Sequence, residues 1–316
     1  MKMIEAKNVK KYFPLKKSIL SRNDRYLKAL DGISLEIEKG VIHSLVGETG
    51  SGKTTFGRIV MALTPPTSGT VKVDGIDLFS LKKNEMKLMR KRIQIIFQDP
   101  YSSLNPKLKI RSSITEPLKL NHVKFDEKMV TDVVESVGLK PASDYLDRFP
   151  GEMSGGQRQR AAIARAFAIS PELIIADEPV SMVDVSIRAD FLNLLRETNR
   201  SENLTVLLIT HDLFVASYIS DKISVLYLGK IVEEGSKEDI IERPLHPYTK
   251  ALLDSIPILG MSEREVKIKG EIPNPIDLPA GCRFHPRCPF SEDKCRQIEP
   301  EYREIQKGHF VACHLY

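Results

Sequence analysis

The sequence predicts an α/β fold organised around a mostly parallel sheet, and three observations carry that reading. Val41–Val46 is a short, mainly apolar run, and Leu173–Ala176 and Val206–Ile209 are continuous apolar runs, all of buried-strand length. Segments of helical period lie between them, with Val130, Val133, Val134 and Val137 at i, i+3, i+4 and i+7. The first apolar run also passes directly into a glycine-rich turn, Gly47-Glu-Thr-Gly-Ser-Gly-Lys-Thr54, that opens a helix. Strands that alternate with helices stack those helices on the faces of a parallel sheet.

The remaining elements follow in order. Residues 3–13 read as a short strand running into a basic loop, and residues 14–28 as an exposed polar excursion. Ile33–Ile37 alternates apolar and polar residues, as a half-buried strand does. Val71–Gly75 reads as a hairpin strand and turn, and Ile93–Phe97 as another strand. From about 110 to 150 the pattern is helical, with Gly138 placed to close the valine-faced helix. Residues 155–168 form an Arg- and Ala-rich helix. Composition shifts near 243, and Pro257, Pro273, Pro275 and Pro279 mark a loop-rich stretch before the tail. The expected division is a domain over 1–242, with a helical subdomain at about 99–165, and a C-terminal extension over 243–316.

Composition narrows the class. A chain of 316 residues suggests two domains, or one with an appendage. With 41% hydrophobic and 28% charged residues it is not a disordered chain. The net charge, 47 − 42 = +5, is too small for an arginine-rich polymer binder. No apolar run approaches the roughly 18–20 residues that span a bilayer. Met1–Glu5 does not begin a secretory leader, so a cytosolic chain is expected. All four cysteines lie within residues 282–316, and in a reducing compartment such a cluster favours metal over disulfides.

The chemistry-bearing motifs explain one another. Gly47–Thr54 fits G-x4-G-K-[ST]. Its glycines let backbone N–H groups close around phosphate oxygens, and the helix start adds partial positive charge. Lys53 offers a full charge to the β- and γ-phosphates, and Thr54 a hydroxyl to Mg²⁺. The strand Leu173–Ala176 ends in Asp177 and Glu178. Alone such an ending is usually a solvated turn, but in a P-loop NTPase an acid there holds Mg²⁺, which suits Asp177, while Glu178 can polarise an attacking water. Met153-Ser-Gly-Gly-Gln157 then precedes the Ala-rich helix as a second anion-binding helix start.

On these residues the chain resembles the ATP-binding subunits of ABC transporters, a fold with a RecA-like core, an antiparallel β subdomain and a helical subdomain. The resemblance implies that Ser154, Gly155, Gly156 and Gln157 reach across a dimer to the γ-phosphate held by the other subunit. It implies that Gly47, Glu48, Thr49, Gly50, Ser51, Gly52, Lys53, Thr54 and Thr55 wrap the phosphates, and that Phe13, or its neighbour Tyr12, stacks on adenine. It makes Gln98 the sensor of Mg²⁺ and water, Asp184 the link between the two sites, and His211 the switch histidine at the γ-phosphate. The segment before Asp184 is Ser-Met-Val where the family usually has Ser-Ala-Leu, an apolar change with no expected loss of activity.

Gln98-Asp-Pro-Tyr-Ser-Ser-Leu-Asn-Pro106 and Arg243-Pro-Leu-His-Pro-Tyr-Thr-Lys-Ala-Leu252 resemble the oligopeptide/dipeptide importer branch, and Tyr101 its F-type ATPase. The implied partners are a D-type ATPase, two transmembrane permease subunits and, indirectly, a solute-binding protein, with no nucleic acid. The implied place is the cytoplasmic face of the membrane. Other cargoes carried in this branch, oligosaccharides or nickel, stay open. A soluble ABC ATPase of DNA or the ribosome usually has coiled-coil insertions or two cassettes, and this sequence has one cassette and no heptad run.

Cys282, Cys288, Cys295 and Cys313 can ligate one [4Fe–4S] cluster or one Zn²⁺, or remain thiols or a disulfide. The spacing lacks the close pairs of a zinc site, and some members of the resembled branch carry a [4Fe–4S] cluster at these positions. The simplest role for such a group is a staple, because the tail has few large aliphatic residues. A redox-gated ATPase is the alternative. His285, His309 and His314 read as surface histidines rather than ligands.

Overall fold

The computed structural model of the chain describes residues 1–15, 25–99, 103–180, 185–254, 268 and 270–316. They form two compact units. One comprises Met1–Glu38, His43–Phe79 and Ile209–Tyr316, the other Lys39–Ile42 and Ser80–Leu208.

The first unit contains two sheets. Strands β1 (Lys2–Pro14) and β2 (Tyr26–Glu38) pair antiparallel, and the register still holds at Phe13 with Leu27 and Pro14 with Tyr26. The excursion expected over 14–28 is therefore shorter than the sequence suggested, because cross-strand pairing continues through its polar ends. Strand β3 (Ile42–Val46) leads into helix α1 (Lys53–Val60). Strands β4 (Ser68–Val73) and β5 (Ile76–Asp77) form the expected hairpin, and β4 also pairs with β1.

Further along the chain come α2 (Lys83–Arg92), β6 (Ile93–Ile96), α3 (Ile110–Leu120), α4 (Glu127–Ser136), α5 (Ser143–Leu146), α6 (Gly155–Phe167), β7 (Leu173–Asp177), α7 (Val185–Glu202) and β8 (Thr205–Thr210). All belong to the second unit except the last two residues of β8. Strands β6 and β7 pair in parallel, with Ile93 opposite Leu173 and Ile96 opposite Ala176. Both strands are apolar, and β7 is buried along its whole length, as a strand covered on both faces must be. Helix α4 buries Val130 and Val134, Val137 is buried at its end, and Val133 lies half-buried beside them. Gly138 closes the helix in the left-handed region, as expected. Helix α6 packs on α3 and α4.

The chain then returns to the first unit through α8 (Leu213–Ile219), β9 (Lys222–Tyr227), β10 (Lys230–Ser236), α9 (Lys237–Glu242) and α10 (Pro247–Asp254). The tail adds α11 (Asp293–Gln297), β11 (Tyr302–Gln306) and β12 (His309–Ala312). Strand β9 lies parallel to β3, but the order continues β9–β10–β12–β11 with every pairing antiparallel. The expectation of a mostly parallel sheet fails on this side. The two-residue turn Leu228-Gly229, with φ of 42° and 79°, folds β10 straight back onto β9. Among the described residues no helix is long and apolar enough to cross a membrane.

The tail lies in the same compact unit as the phosphate loop. It has little apolar volume of its own, and what it has is inserted into a shared core. Phe284 and Val311 are buried, and Phe284 meets Tyr227 edge-on at 5.3 Å and Tyr248 at 5.4 Å. Cys282 and Cys288 pack against the same cluster. Burial of rings of this size is a large hydrophobic contribution, and it ties the tail to the elements it packs on.

Candidate nucleotide site

The phosphate loop is held by backbone geometry. Gly52 has φ of 110°, and a Cβ there would come 2.3 Å from the Ala29 carbonyl oxygen, so only glycine fits. Helix α1 starts directly after it with no side-chain cap, leaving first-turn N–H groups for an acceptor. The Lys53 ammonium is buried against the loop, donating to the Gly47 and Glu48 carbonyls at 2.6 and 3.0 Å. Ser51 Oγ is buried and, among the described residues, makes no hydrogen bond, which fits a loop that completes its bonding with an acidic ligand. Thr49 and Gly50 are exposed, and Thr54 and Thr55 are half-buried.

The carboxylate pair stands at the end of β7, where Asp177 is buried. Glu178 follows with φ of 47°, a left-handed conformation that a glutamate adopts only when its surroundings impose it. Gln98, just past β6, donates from Nε2 to Glu178 Oε2 at 3.4 Å, so two residues expected to handle water and metal do meet. Thr54 and Asp177 supply hard oxygen donors of the kind Mg²⁺ prefers. His211 lies exposed after β8. Asp184 falls outside the described residues, as does Tyr101.

At the start of α6 a reciprocal capping box has formed. The Gln157 N–H donates to Ser154 Oγ at 3.3 Å, and the Ser154 N–H donates to Gln157 Oε1 at 3.0 Å. Ser154 is exposed, and Gly155 and Gly156 are half-buried. The motif thus presents a capped helix start with an outward serine.

The two candidate aromatics differ. The Tyr12 hydroxyl donates to Asp31 Oδ1, and burial, followed by that bond, pushes the phenol up to about 12. The Phe13 ring is 37% exposed, with Lys11 Nζ 5.0 Å from its centroid. Phe13 is therefore the freer of the two to stack on a base.

Four contacts around the loop had no local signal in the sequence. Arg287 donates a two-pronged grip to Glu48, Nη1 to Oε2 at 2.6 Å and Nη2 to Oε1 at 2.9 Å. Bonding to Glu48 comes first among the causes that raise the guanidinium's pKa. The Glu48 N–H donates to the Tyr248 hydroxyl at 2.8 Å. Arg283 donates to Asp31 Oδ2 and to the Leu228 carbonyl. Burial alone would raise the Asp31 carboxyl, but the Tyr12 hydroxyl and the Arg283 charge outweigh it and hold it below the usual range. Tyr248 lies in the Pro-Tyr-Thr-Lys segment that the sequence marked only as a family resemblance.

All four cysteines are free thiols, so the disulfide alternative is not formed. They lie within electrostatic reach of one another. Burial, followed by the neighbouring thiols, pushes Cys282 up to about 12. The Cys282 N–H also donates to the Cys295 carbonyl at 2.8 Å. Four soft thiols in one half-buried patch suit a metal group by donor chemistry. Among the described residues, however, no three His, Cys, Asp or Glu side chains converge tightly enough to hold a metal ion. This arrangement therefore supports neither the zinc ion nor the [4Fe–4S] cluster expected from the sequence. His309 is not the surface residue the sequence suggested. It is fully buried, with Nε2 2.9 Å from Glu233 Oε1, because β12 inserts beside β10. His285 and His314 bond backbone carbonyls, of Cys282 and Ile298.

Comparison with known proteins agrees with this geometry. Residues 30–181 match the family described as ABC transporter, and residues 232–295 match the oligopeptide/dipeptide transporter C-terminal region. The oligopeptide transport ATP-binding protein AppF of Bacillus subtilis is 45% identical, over 99% of this chain and 97% of its own. The dipeptide transport ATP-binding protein DppF of Haemophilus influenzae is 42% identical, over 98% of this chain and 96% of its own. Among solved structures, the ATP-binding cassette MJ0796 in a dimeric post-hydrolysis state with ADP and Pi superposes with a TM-score of 0.67. It is 29% identical and covers 74% of this chain and 99% of its own. The chain belongs to the ATP-binding subunits of ABC transporters, in the oligopeptide/dipeptide branch.

Proposed function

We propose that this chain hydrolyses ATP to drive an importer of oligopeptides or dipeptides. The observation that carries the reading is the joint presence, in one chain, of a glycine-built phosphate loop with a buried lysine and of an oligopeptide/dipeptide-type C-terminal region. The working unit is a nucleotide sandwich of two ATPase chains, the partner being a D-type ATPase. It sits on two permease subunits at the cytoplasmic face of the membrane, fed by a solute-binding protein.

In this reading Phe13 stacks on adenine, and residues 47–55 take the phosphates through N–H groups and Lys53. Thr54 and Asp177 give oxygens to Mg²⁺, which neutralises phosphate charge when bound, and Gln98 senses the metal and water. The Ser154–Gln157 helix start closes the partner's site, and Asp184 links the two. Glu178 accepts a proton from water as its oxygen turns toward the γ-phosphorus, and His211 steadies the γ-phosphate. The left-handed Glu178 backbone and its bond from Gln98 support the general-base role, because both hold the carboxylate before reaction. No step of hydrolysis runs through Cys282, Cys288, Cys295 or Cys313.

The test is Glu178→Gln in the assembled transporter. ATP binding should persist, the dimer should stay closed on ATP, and turnover should fall about 10²–10⁴-fold. Undiminished turnover would remove Glu178 from this role. Purification from native membranes should bring two permeases and a second ATPase, and a ribosome or nucleic acid in their place would overturn the transport reading.

A further inference from the structure

The sequence gives no reason for the tail to touch nucleotide-handling segments, yet one short loop of it touches two. Arg287 is buried, with its guanidinium 5.8 Å from the centre of the Tyr227 ring and 6.0 Å from that of Phe284. From this aromatic seat it reaches both carboxylate oxygens of Glu48. A planar fork on a planar carboxylate fixes direction as well as distance. Glu48 is held at two further points, its N–H by the Tyr248 hydroxyl and its carbonyl by Lys53 Nζ. The phosphate-binding ammonium therefore rests on a residue whose side chain the tail clamps.

Four residues earlier, Arg283 makes the second contact. It bonds Asp31, which accepts from Tyr12, the residue before Phe13. It also bonds the carbonyl of Leu228. The next residue, Gly229, donates its N–H to the Ser51 carbonyl in the phosphate loop at 2.8 Å and accepts from the Asp31 N–H at 2.9 Å. The adenine side and the phosphate side of the cradle are thus stitched through one turn to one loop of the tail.

We infer that the 282–288 loop is a brace for the nucleotide cradle. Arg287 is a positioning residue for the phosphate loop through Glu48, and Arg283 one for the strand end bearing Phe13 through Asp31 and Tyr12. The inference rests on reading residues 47–55 and Phe13 as the ATP cradle. Arg287 acts on the triphosphate side, and Arg283 chiefly on the base side, with a second reach to the phosphate loop through the Leu228-Gly229 turn. Neither touches ATP chemistry directly, so their loss shows in binding and KM rather than in kcat.

The experiment measures binding of Mg-ATP and of inorganic tripolyphosphate to the full chain, with KM and kcat in the assembled transporter. Arg287→Met should weaken ATP and tripolyphosphate by the same factor, about tenfold, with kcat at saturation within about twofold of wild type. Arg287→Lys, which keeps charge but loses the fork, should recover part of that loss. Arg283→Met should weaken ATP more than tripolyphosphate, because it removes the Asp31 link outright and reaches the phosphate loop only through the Leu228-Gly229 turn; equal losses for the two ligands would overturn its assignment to the base side. Glu48→Gln keeps shape and should reproduce the uniform loss, so the test reads even if Arg287→Met does not fold. Combining it with Arg287→Met should add nothing further. Wild-type affinities for both ligands in folded Arg287→Met or Glu48→Gln would overturn the inference. Lys53→Ala separates the premise, because unchanged ATP binding by that variant would remove the cradle itself.

Discussion

The phosphate loop and the cysteine-bearing tail lie in one compact unit, but they are built by opposite means. The loop is local. Eight consecutive residues build it: glycine at 52 is required for a left-handed turn against the Ala29 carbonyl, and the proposed phosphate chemistry draws on lysine at 53 for charge and threonine at 54 for a hydroxyl. The tail is non-local. Its grip on the loop joins residues 239 positions apart, and its grip on Asp31 residues 252 apart. Its aromatic anchor, Phe284, packs on Tyr227 at the end of β9 and on Tyr248 of α10. A site made of backbone can be spelled out in a motif, whereas one made of side chains from distant segments depends on the fold to assemble it.

Three measurements would sharpen this contrast. The largest effect should come from Phe284→Ala, which empties the shared aromatic core. It should destabilise the chain by about 3–5 kcal/mol, read as a lower denaturant midpoint. A change under about 1 kcal/mol would mean that the tail folds independently of the ATPase strands.

Next comes a pair of glycines, one in each region, both pressed on backbone. Gly52→Ala faces the Ala29 carbonyl, and Gly281→Ala, at φ of 64°, faces the Cys295 carbonyl at 2.5 Å. Each should cost about 1–3 kcal/mol of stability. Only Gly52→Ala should abolish nucleotide binding outright, and equal binding losses in both variants would erase the distinction between regions.

The smallest effect concerns acid. Asp31 has its carboxyl held below the ordinary value of 3.8, so its contribution to stability is full above that pH and is lost as pH falls through the lowered folded value. Asp31→Asn should be less stable than wild type at neutral pH and should lose less on acidification below about pH 4. Parallel acid limbs for the two proteins would mean that the Arg283–Asp31–Tyr12 link contributes no stability.

Legibility in the sequence followed the same division. The phosphate loop, the Asp177-Glu178 strand end and the Ser154–Gln157 helix start were readable because each is a short run whose function depends on adjacent residues. The valine face of α4 was readable because burial follows the helical period, although Val133 is only half-buried. The antiparallel half of the sheet was not, because nothing in the residues of β9, β10 and β12 says in which direction each runs beside its neighbour. The Leu228-Gly229 turn decides their direction. His309 read as a surface histidine because nothing in its neighbourhood announces Glu233, 76 positions away. The difference between Tyr12 and Phe13 comes from Asp31, which binds one and leaves the other exposed.

By itself, then, the sequence determined the α/β class, the nucleotide motifs and the branch of the family, because these rest on local backbone chemistry and on periods of two and 3.6 residues. Only the tertiary structure decided that the tail shares a core with the strands it packs on and that Arg287 grips Glu48 and Arg283 grips Asp31. Ion pairs and aromatic packing act through space, and the chain brings those partners together only after its long-range strand pairings have formed.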